Sequence, residues 1–219
     1  MYVSYRHSVW KWGALSTSRR TQPERTAASR RALVGAARRL FATHGYAAVG
    51  TELIATEAGL SRGALYHQYA DKLELFAAVL EEVEADIATR MANAAAELDP
   101  ADTGALLLAG ADAFLDACAE PAIQRIVLLD GPSVLGWDRW REICLRHSVG
   151  LVDALITDGI ERGTIAPQPT RPLTHVLVGA VDEAALYIAE ADDPTRARAE
   201  MGAVIHQLAT ALTTPLERP

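Results

Sequence analysis

The side chains able to do covalent chemistry are scattered along this chain, whereas the basic ones are not. No serine stands in a nucleophile elbow, no glycine-rich stretch has the Walker spacing, and no pair of carboxylates is spaced for acid–base work. His147 and His175 are the nearest approach to a metal pair, and nothing around them gives ligand spacing. Cys118 and Cys144 lie far apart without a CxxC partner and read as two reduced, semi-buried thiols. An enzyme, a metal site and a cofactor are therefore not expected. Charge is more informative. Residues 1–80 carry 11 basic side chains against 5 acidic ones, and the remainder 10 against 23, within a net charge of −7. A basic head on an acidic body is the pattern of a phosphate-binding module joined to a second one, with a solvated basic face as the plainer alternative.

The elements that must position these groups all read as helices. Half the residues are hydrophobic, aromatics are 6% and alanine is abundant, a composition suited to close helix packing. Leu33, Ala37, Leu40 and Phe41 define one face of a helix over about 24–44, ended by Gly45 in a left-handed conformation. Two short helices follow, about 51–58 and 62–69, joined by the tight turn Gly59-Leu60-Ser61, with Ser61 as the cap of the second. This is the layout of a helix-turn-helix, although a generic corner between two helices has the same spacing. Asp71, with Glu74 three residues on, opens a long helix that the spacing predicts to about residue 98. Further helices are predicted over about 102–119, from Pro121 to a break at Asp130-Gly131-Pro132, and over about 136–162. A Gly- and Pro-containing loop at 163–169 precedes two last amphipathic helices, about 171–190 and 194–212. The pattern is all-α. Residues 1–22 read as a flexible basic arm, 23–70 as the helix-turn-helix domain and 71–219 as a larger helical domain. No apolar run approaches the roughly 20 residues needed to cross a bilayer. The first twenty residues lack the apolar core of a signal peptide, so a cytoplasmic protein is expected.

The run from Arg38 to Phe76, RRLFATHGYAAVGTELIATEAGLSRGALYHQYADKLELF, resembles the DNA-binding domain of the TetR family. The likeness is carried by Gly45-Tyr46, Ile54-Ala55, Ala58-Gly59-Leu60-Ser61, Leu65-Tyr66, Tyr69, Asp71-Lys72 and Leu75-Phe76. It implies a homodimer that binds double-stranded operator DNA and is released by a small organic effector. By the same resemblance Arg62, Gly63 and Ala64 meet base edges, with Arg62 placed to donate bidentately to a guanine. Thr51, Tyr66 and His67 become phosphate contacts, and Lys72 adds a charge beside amides facing phosphate. Gln68 and Glu52 depart from choices common in the family, which leaves the operator sequence open.

The segment from Leu128 to Ile143 resembles the C-terminal domains of one subgroup of TetR-type regulators. In that family the middle of this domain encloses an effector pocket, for which Phe114, Leu129, Trp137, Trp140, Cys144 and His147 are the candidates here. Aromatic walls with a few polar groups suit an apolar or aromatic ligand, and plain core packing fits each of these residues singly. The last two helices would pair with their symmetry mates in a four-helix bundle through Leu173, Leu177, Ala180, Ala184, Ile188, Met201, Ile205 and Leu208. The alternative is a hairpin packed only on its own chain.

Overall fold

The computed structural model describes residues 21–213, and over these the chain is helical with no strand. The basic arm expected over residues 1–22 therefore lies almost wholly outside the described residues. Helix α1 (Gln22–His44) starts two residues earlier than expected. Thr21 accepts from the Glu24 amide while the Glu24 carboxylate accepts from the Thr21 amide, a reciprocal cap that fixes the start. Gly45 ends α1 at φ 78°, ψ 159°, so it supplies a positive φ but not the left-handed helical turn.

Helices α2 (Thr51–Glu57) and α3 (Arg62–Gln68) form the helix-turn-helix, with Ser61 Oγ accepting from the Ala64 amide at the start of α3. Ile54, Ala55 and Leu65 turn inward onto Leu33, Ala37 and Phe41 of α1. Seven residues cannot hold a helix alone, so this shared apolar contact fixes α3. Helix α4 (Lys72–Ala95) opens on an Asp71 carboxylate that accepts from the Glu74 amide. Its buried stripe runs from Leu75 through Leu80, Val83 and Ile87 to Met91. Phe41, Tyr46 and Phe76 cluster with ring centroids 5.2–5.5 Å apart, and Arg38 of α1 pairs with Glu82 and Asp86 of α4. The three N-terminal helices are thereby clamped onto the first half of α4.

Beyond α4, α5 (Thr103–Cys118) packs along α4. The chain then departs from the expected pattern. Helix α6 (Pro121–Gln124) does not end at Gly131-Pro132. It widens into a π-helical stretch, Arg125–Asp130, and continues as α7 (Gly131–Leu135). Pro132 falls in the first turn of α7, where the π-helical stretch passes into α-helix. Gly131 is required by packing: a Cβ there would stand 2.7 Å from Trp140 Cδ1. The true break is Gly136, at φ 76°. The single helix expected over 136–162 is two, α8 (Trp137–Arg146) and α9 (Ser148–Arg162), separated at His147. Helices α10 (Thr170–Glu190) and α11 (Pro194–Thr213) complete the fold. Among the described residues no helix is long and apolar enough to cross a membrane.

Candidate functional site

The outer face of α3 is a small polar platform. Arg62, Gly63, Tyr66 and His67 are exposed, and Ala64 is half-buried beside them. Thr51, the first residue of α2, lies with its hydroxyl 3.2 Å from the Tyr66 hydroxyl, so the two short helices present their polar groups together. The Arg62 guanidinium stands 5.5 Å from the Tyr66 ring centroid. The hydrogen bond with Thr51, then the contact with Arg62, pulls the Tyr66 phenol below its ordinary value. Gly63 is not demanded by the chain itself: a Cβ there would meet nothing nearer than Ser61 Oγ, at 3.8 Å. A bare backbone at that point leaves room for something outside the chain to approach. Tyr69, by contrast, is buried under Arg30, whose guanidinium lies 4.6 Å from its ring.

Lys72 differs from its expected role. Its ammonium donates to the Tyr46 carbonyl at 3.0 Å and the Val49 carbonyl at 3.1 Å, and it lies 4.0 Å from the Tyr46 ring centroid. Two of its three protons close the loop between α1 and α2 over the start of α4. This inward capping role accompanies the charge that Lys72 was expected to place behind the platform.

The second feature is a cavity of about 90 Å³ lined by α4, α5, the π-helical stretch, α8, α9, α10 and α11. Of the six residues expected to line a pocket, Phe114, Trp140 and Cys144 do so. Leu129, Trp137 and His147 do not. The π-helical stretch turns Leu129 outward to 48% exposure, and the break at Gly136 leaves Trp137 on the surface at 60%. His147 sits at the kink between α8 and α9, away from the walls. Trp140 is wall and core at once, since its indole N–H donates to the Val127 carbonyl at 2.9 Å inside the π-helical stretch. The remaining walls come from residues that sequence reasoning passed over, among them Met91, Leu107, Val149, Val152 and Val181.

One wall is polar. Glu84 is buried on α4 and accepts from Ser148 Oγ at 2.5 Å and from Cys144 Sγ at 3.4 Å. Arg141 Nη2 donates to Asp182 Oδ2 at 3.3 Å, with both side chains largely buried. Burial pushes the Glu84 carboxyl up despite those two donors, and pushes Asp182 up to about 6 against the pull of Arg141. Burial likewise raises both thiols, Cys118 and Cys144, which are free of any disulfide. Such thiols stay protonated and are poor nucleophiles.

The cavity is connected to the platform by contacts that the sequence does not reveal. Val127, a cavity wall, belongs to the same π-helical stretch as Asp130. Asp130 Oδ2 accepts from the Tyr46 amide at 2.9 Å, in the loop that Lys72 closes. In the first turn of α4, Glu74 holds Arg139 of α8 in a two-pronged ion pair at 2.8 and 2.9 Å.

The candidate dimer residues divide into three groups by exposure. Ala184, Ile188 and Ile205 are buried within their own chain, and Leu173, Leu177, Ala180 and Met201 are half-buried. Leu208 remains exposed, as do Val176, Tyr187 and Val204, none of which was among the candidates. The apolar face drawn from the sequence was wider than one side of a helix. Leu177, Ala184 and Ile188 form its inward stripe, and Val176, Ala180 and Tyr187 its outward one. Leu177, Ala180, Ile205 and Leu208 also line the cavity, which therefore reaches toward this outer face.

Comparison with known proteins gives consistent matches along most of the chain. A family model described as bacterial regulatory proteins, tetR family, matches residues 33–79, and one described as a tetracyclin repressor-like C-terminal domain matches residues 105–212. The transposon Tn10 TetC protein of Escherichia coli is 25% identical over 162 residues, covering 72% of this chain and 79% of its own length. An HTH-type transcriptional repressor of Streptomyces coelicolor is 31% identical over 140 residues, covering 63% of this chain and 68% of its own. The crystal structure of a TetR-family transcriptional regulator from Pectobacterium atrosepticum has a TM-score of 0.72 at 31% identity, covering 90% of this chain and 99% of that one.

Proposed function

The chain belongs to the TetR family of transcriptional regulators, DNA-binding proteins that are not enzymes, and from that premise we propose that it is a repressor released from its operator by a small apolar or aromatic effector. It acts in the cytoplasm as a homodimer on a palindromic duplex. The observation that carries this reading is the pairing of an exposed polar α3 platform with a mostly apolar cavity in the same molecule.

In this account each protomer lays α3 in a major groove, Arg62 reads a base edge, and Gly63 and Ala64 let the backbone come close. Thr51, Tyr66 and His67 hold the flanking phosphates and set the register. The exposed apolar residues of α10 and α11, with Leu208 among them, form the dimer contact and fix the spacing of the two α3 helices. The effector prefers a shape of the cavity in which that spacing is wrong, and it shifts the population only by its difference in affinity between the two states. The route is physical. Val127 and Trp140 meet the effector, and the π-helical stretch hands any displacement to the Tyr46 loop through Asp130. Helix α4, which carries Lys72 at one end and the cavity residues Glu84 and Met91 along its length, moves with it.

Anisotropy of a labelled duplex from upstream of the protein's own gene tests the reading. Affinity is expected to fall by orders of magnitude between about 50 and 200 mM salt, as multiple phosphate contacts require. Ala111→Trp, which fills the cavity from α5, is expected to keep operator affinity and lose the effector response. Salt-independent binding, or a filled-cavity variant that still responds, would contradict it.

A further inference from the structure

The polar wall of the cavity holds a hydrogen-bonding imbalance that says what an occupant must offer. A guanidinium carries five N–H donors. Among the described residues Arg141 uses one of them, in the long 3.3 Å contact with Asp182 Oδ2, and its buried Nε has no acceptor. The faces of the group are not free: Trp140 lies 4.5 Å from it and Trp137 5.0 Å, measured to the ring centroids. Asp182 has the complementary surplus, since among the described residues its Oδ1 receives no hydrogen bond. Glu84 is different, because Ser148 and Cys144 already occupy one oxygen each. Arg141 and Asp182 both line the cavity, so its mostly apolar wall holds one small polar spot where a donor without an acceptor lies beside a carboxylate with spare capacity.

Charge narrows the choice. An anionic ligand drawn to Arg141 would be forced against Asp182 and Glu84 in a poorly solvated space, and a cation drawn to the carboxylates would meet Arg141. A neutral hydroxyl escapes both penalties, because one oxygen accepts from a guanidinium and donates its own proton to a carboxylate. Size narrows it further. About 90 Å³ is well below the roughly 300–1,000 Å³ of drug-sized sites and suits a single ring or a short chain. The apolar walls, including Phe114, Leu107 and Val152, offer such a ring only apolar contact.

We propose that the cavity takes a neutral single-ring hydroxyl compound of the phenol class, its oxygen accepting from Arg141 and donating toward Asp182. This rests on the reading of the cavity as the effector site. The inference selects among ring compounds of one size, so the test uses phenol, toluene, benzoate and benzylamine, titrated into the full-length protein and followed by calorimetry and tryptophan fluorescence. Phenol is expected to bind at least tenfold more tightly than the other three. In the paired variant Arg141→Met/Asp182→Leu, which replaces the ion pair by apolar groups of similar bulk, the preference of phenol over toluene is expected to collapse to about parity. Thermal melting checks that this variant folds, and Asp182→Asn serves in its place if it does not, with a smaller loss of the same preference. Benzoate or benzylamine bound in preference to phenol, and lost in Ala111→Trp, would overturn the phenol inference and leave the cavity as the effector site. Phenol binding that survives Ala111→Trp would overturn both. Binding by none of the four overturns the inference, and the cavity reading then stands or falls by the response of Ala111→Trp to the effector on operator DNA.

Discussion

Lys72 directs its charge inward, to carbonyls of the loop between α1 and α2. Replacing it by methionine keeps most of the stem and removes the ammonium from two carbonyls. Hydrogen bonds from charged groups are worth roughly 1.5–3 kcal/mol, so Lys72→Met is expected to lower the urea midpoint by a loss of about that size. The operator salt slope should change by much less than the roughly 0.9 that one lost phosphate contact gives. An unchanged midpoint with a slope lower by that amount would restore the phosphate role. The family motif placed this lysine correctly in the chain but not its direction, because its partners lie 23 and 26 residues earlier, beyond any local spacing. Glu84 is the opposite case. It falls in the apolar stripe of α4 with Leu80, Ile87 and Met91, and an acid on a core face is a legible signal of a buried polar cluster. Arg141, beside Trp140 and Cys144, carries the same signal.

The elements that sequence reasoning recovered, α1 to α5, α10 and α11, have clear apolar faces, and all but α2 and α10 open on a capping side chain. The middle of the chain was misread because Gly131-Pro132 looks like punctuation, while here the proline opens α7 and the glycine admits Trp140. The resulting π-helical stretch links cavity and head through Asp130. Asp130→Ala is expected to leave effector affinity nearly intact and to reduce the effector's weakening of operator binding, which in coupled systems is about 5–150-fold, by several-fold. Operator titrations with and without effector check this, and an undiminished ratio would mean the coupling runs through α4 alone. The polar wall also sets a pH dependence. Asp182 is raised from 3.8 to about 6, so the folded state holds its proton more tightly than the unfolded chain. As pH rises through that window the unfolded state ionises first, and stability is lost between about pH 4 and 6, then levels off. Urea midpoints of wild type and Asp182→Asn across pH 4–8 should show wild type losing ground to the variant over that interval and no further change above about pH 7. A difference that grows in favour of wild type with pH would reverse the sign and contradict the burial of this carboxyl.

At the scale of the whole molecule, one continuous apolar core runs from Leu33 of α1 to Ile205 of α11, so the α3 platform and the cavity share a single packed interior. In the proposed mechanism a change at one is expected to reach the other through that interior, since packed interiors rearrange between discrete states and do not deform freely. Four large apolar side chains, Val176, Tyr187, Val204 and Leu208, remain exposed on the outer side of α10 and α11. Leu208→Glu is expected to shift the protein from dimer to monomer in sedimentation velocity at micromolar concentration and to abolish specific operator binding with it. Since Leu208 also lines the cavity, effector affinity should fall in the same variant. A Leu208→Glu dimer of unchanged stability would place the contact elsewhere. The most direct test of the account is selection of binding sites from a random duplex library with wild type and Arg62→Ala in parallel. The account expects wild type to enrich a pseudo-palindrome whose half-sites lie about one helical turn, or a multiple of it, apart. Arg62→Ala should enrich the same symmetric site with preference relaxed at one base pair in each half. No enriched sequence, an unsymmetrical one, or a site identical for both proteins would contradict reading of the operator by α3 of a dimer.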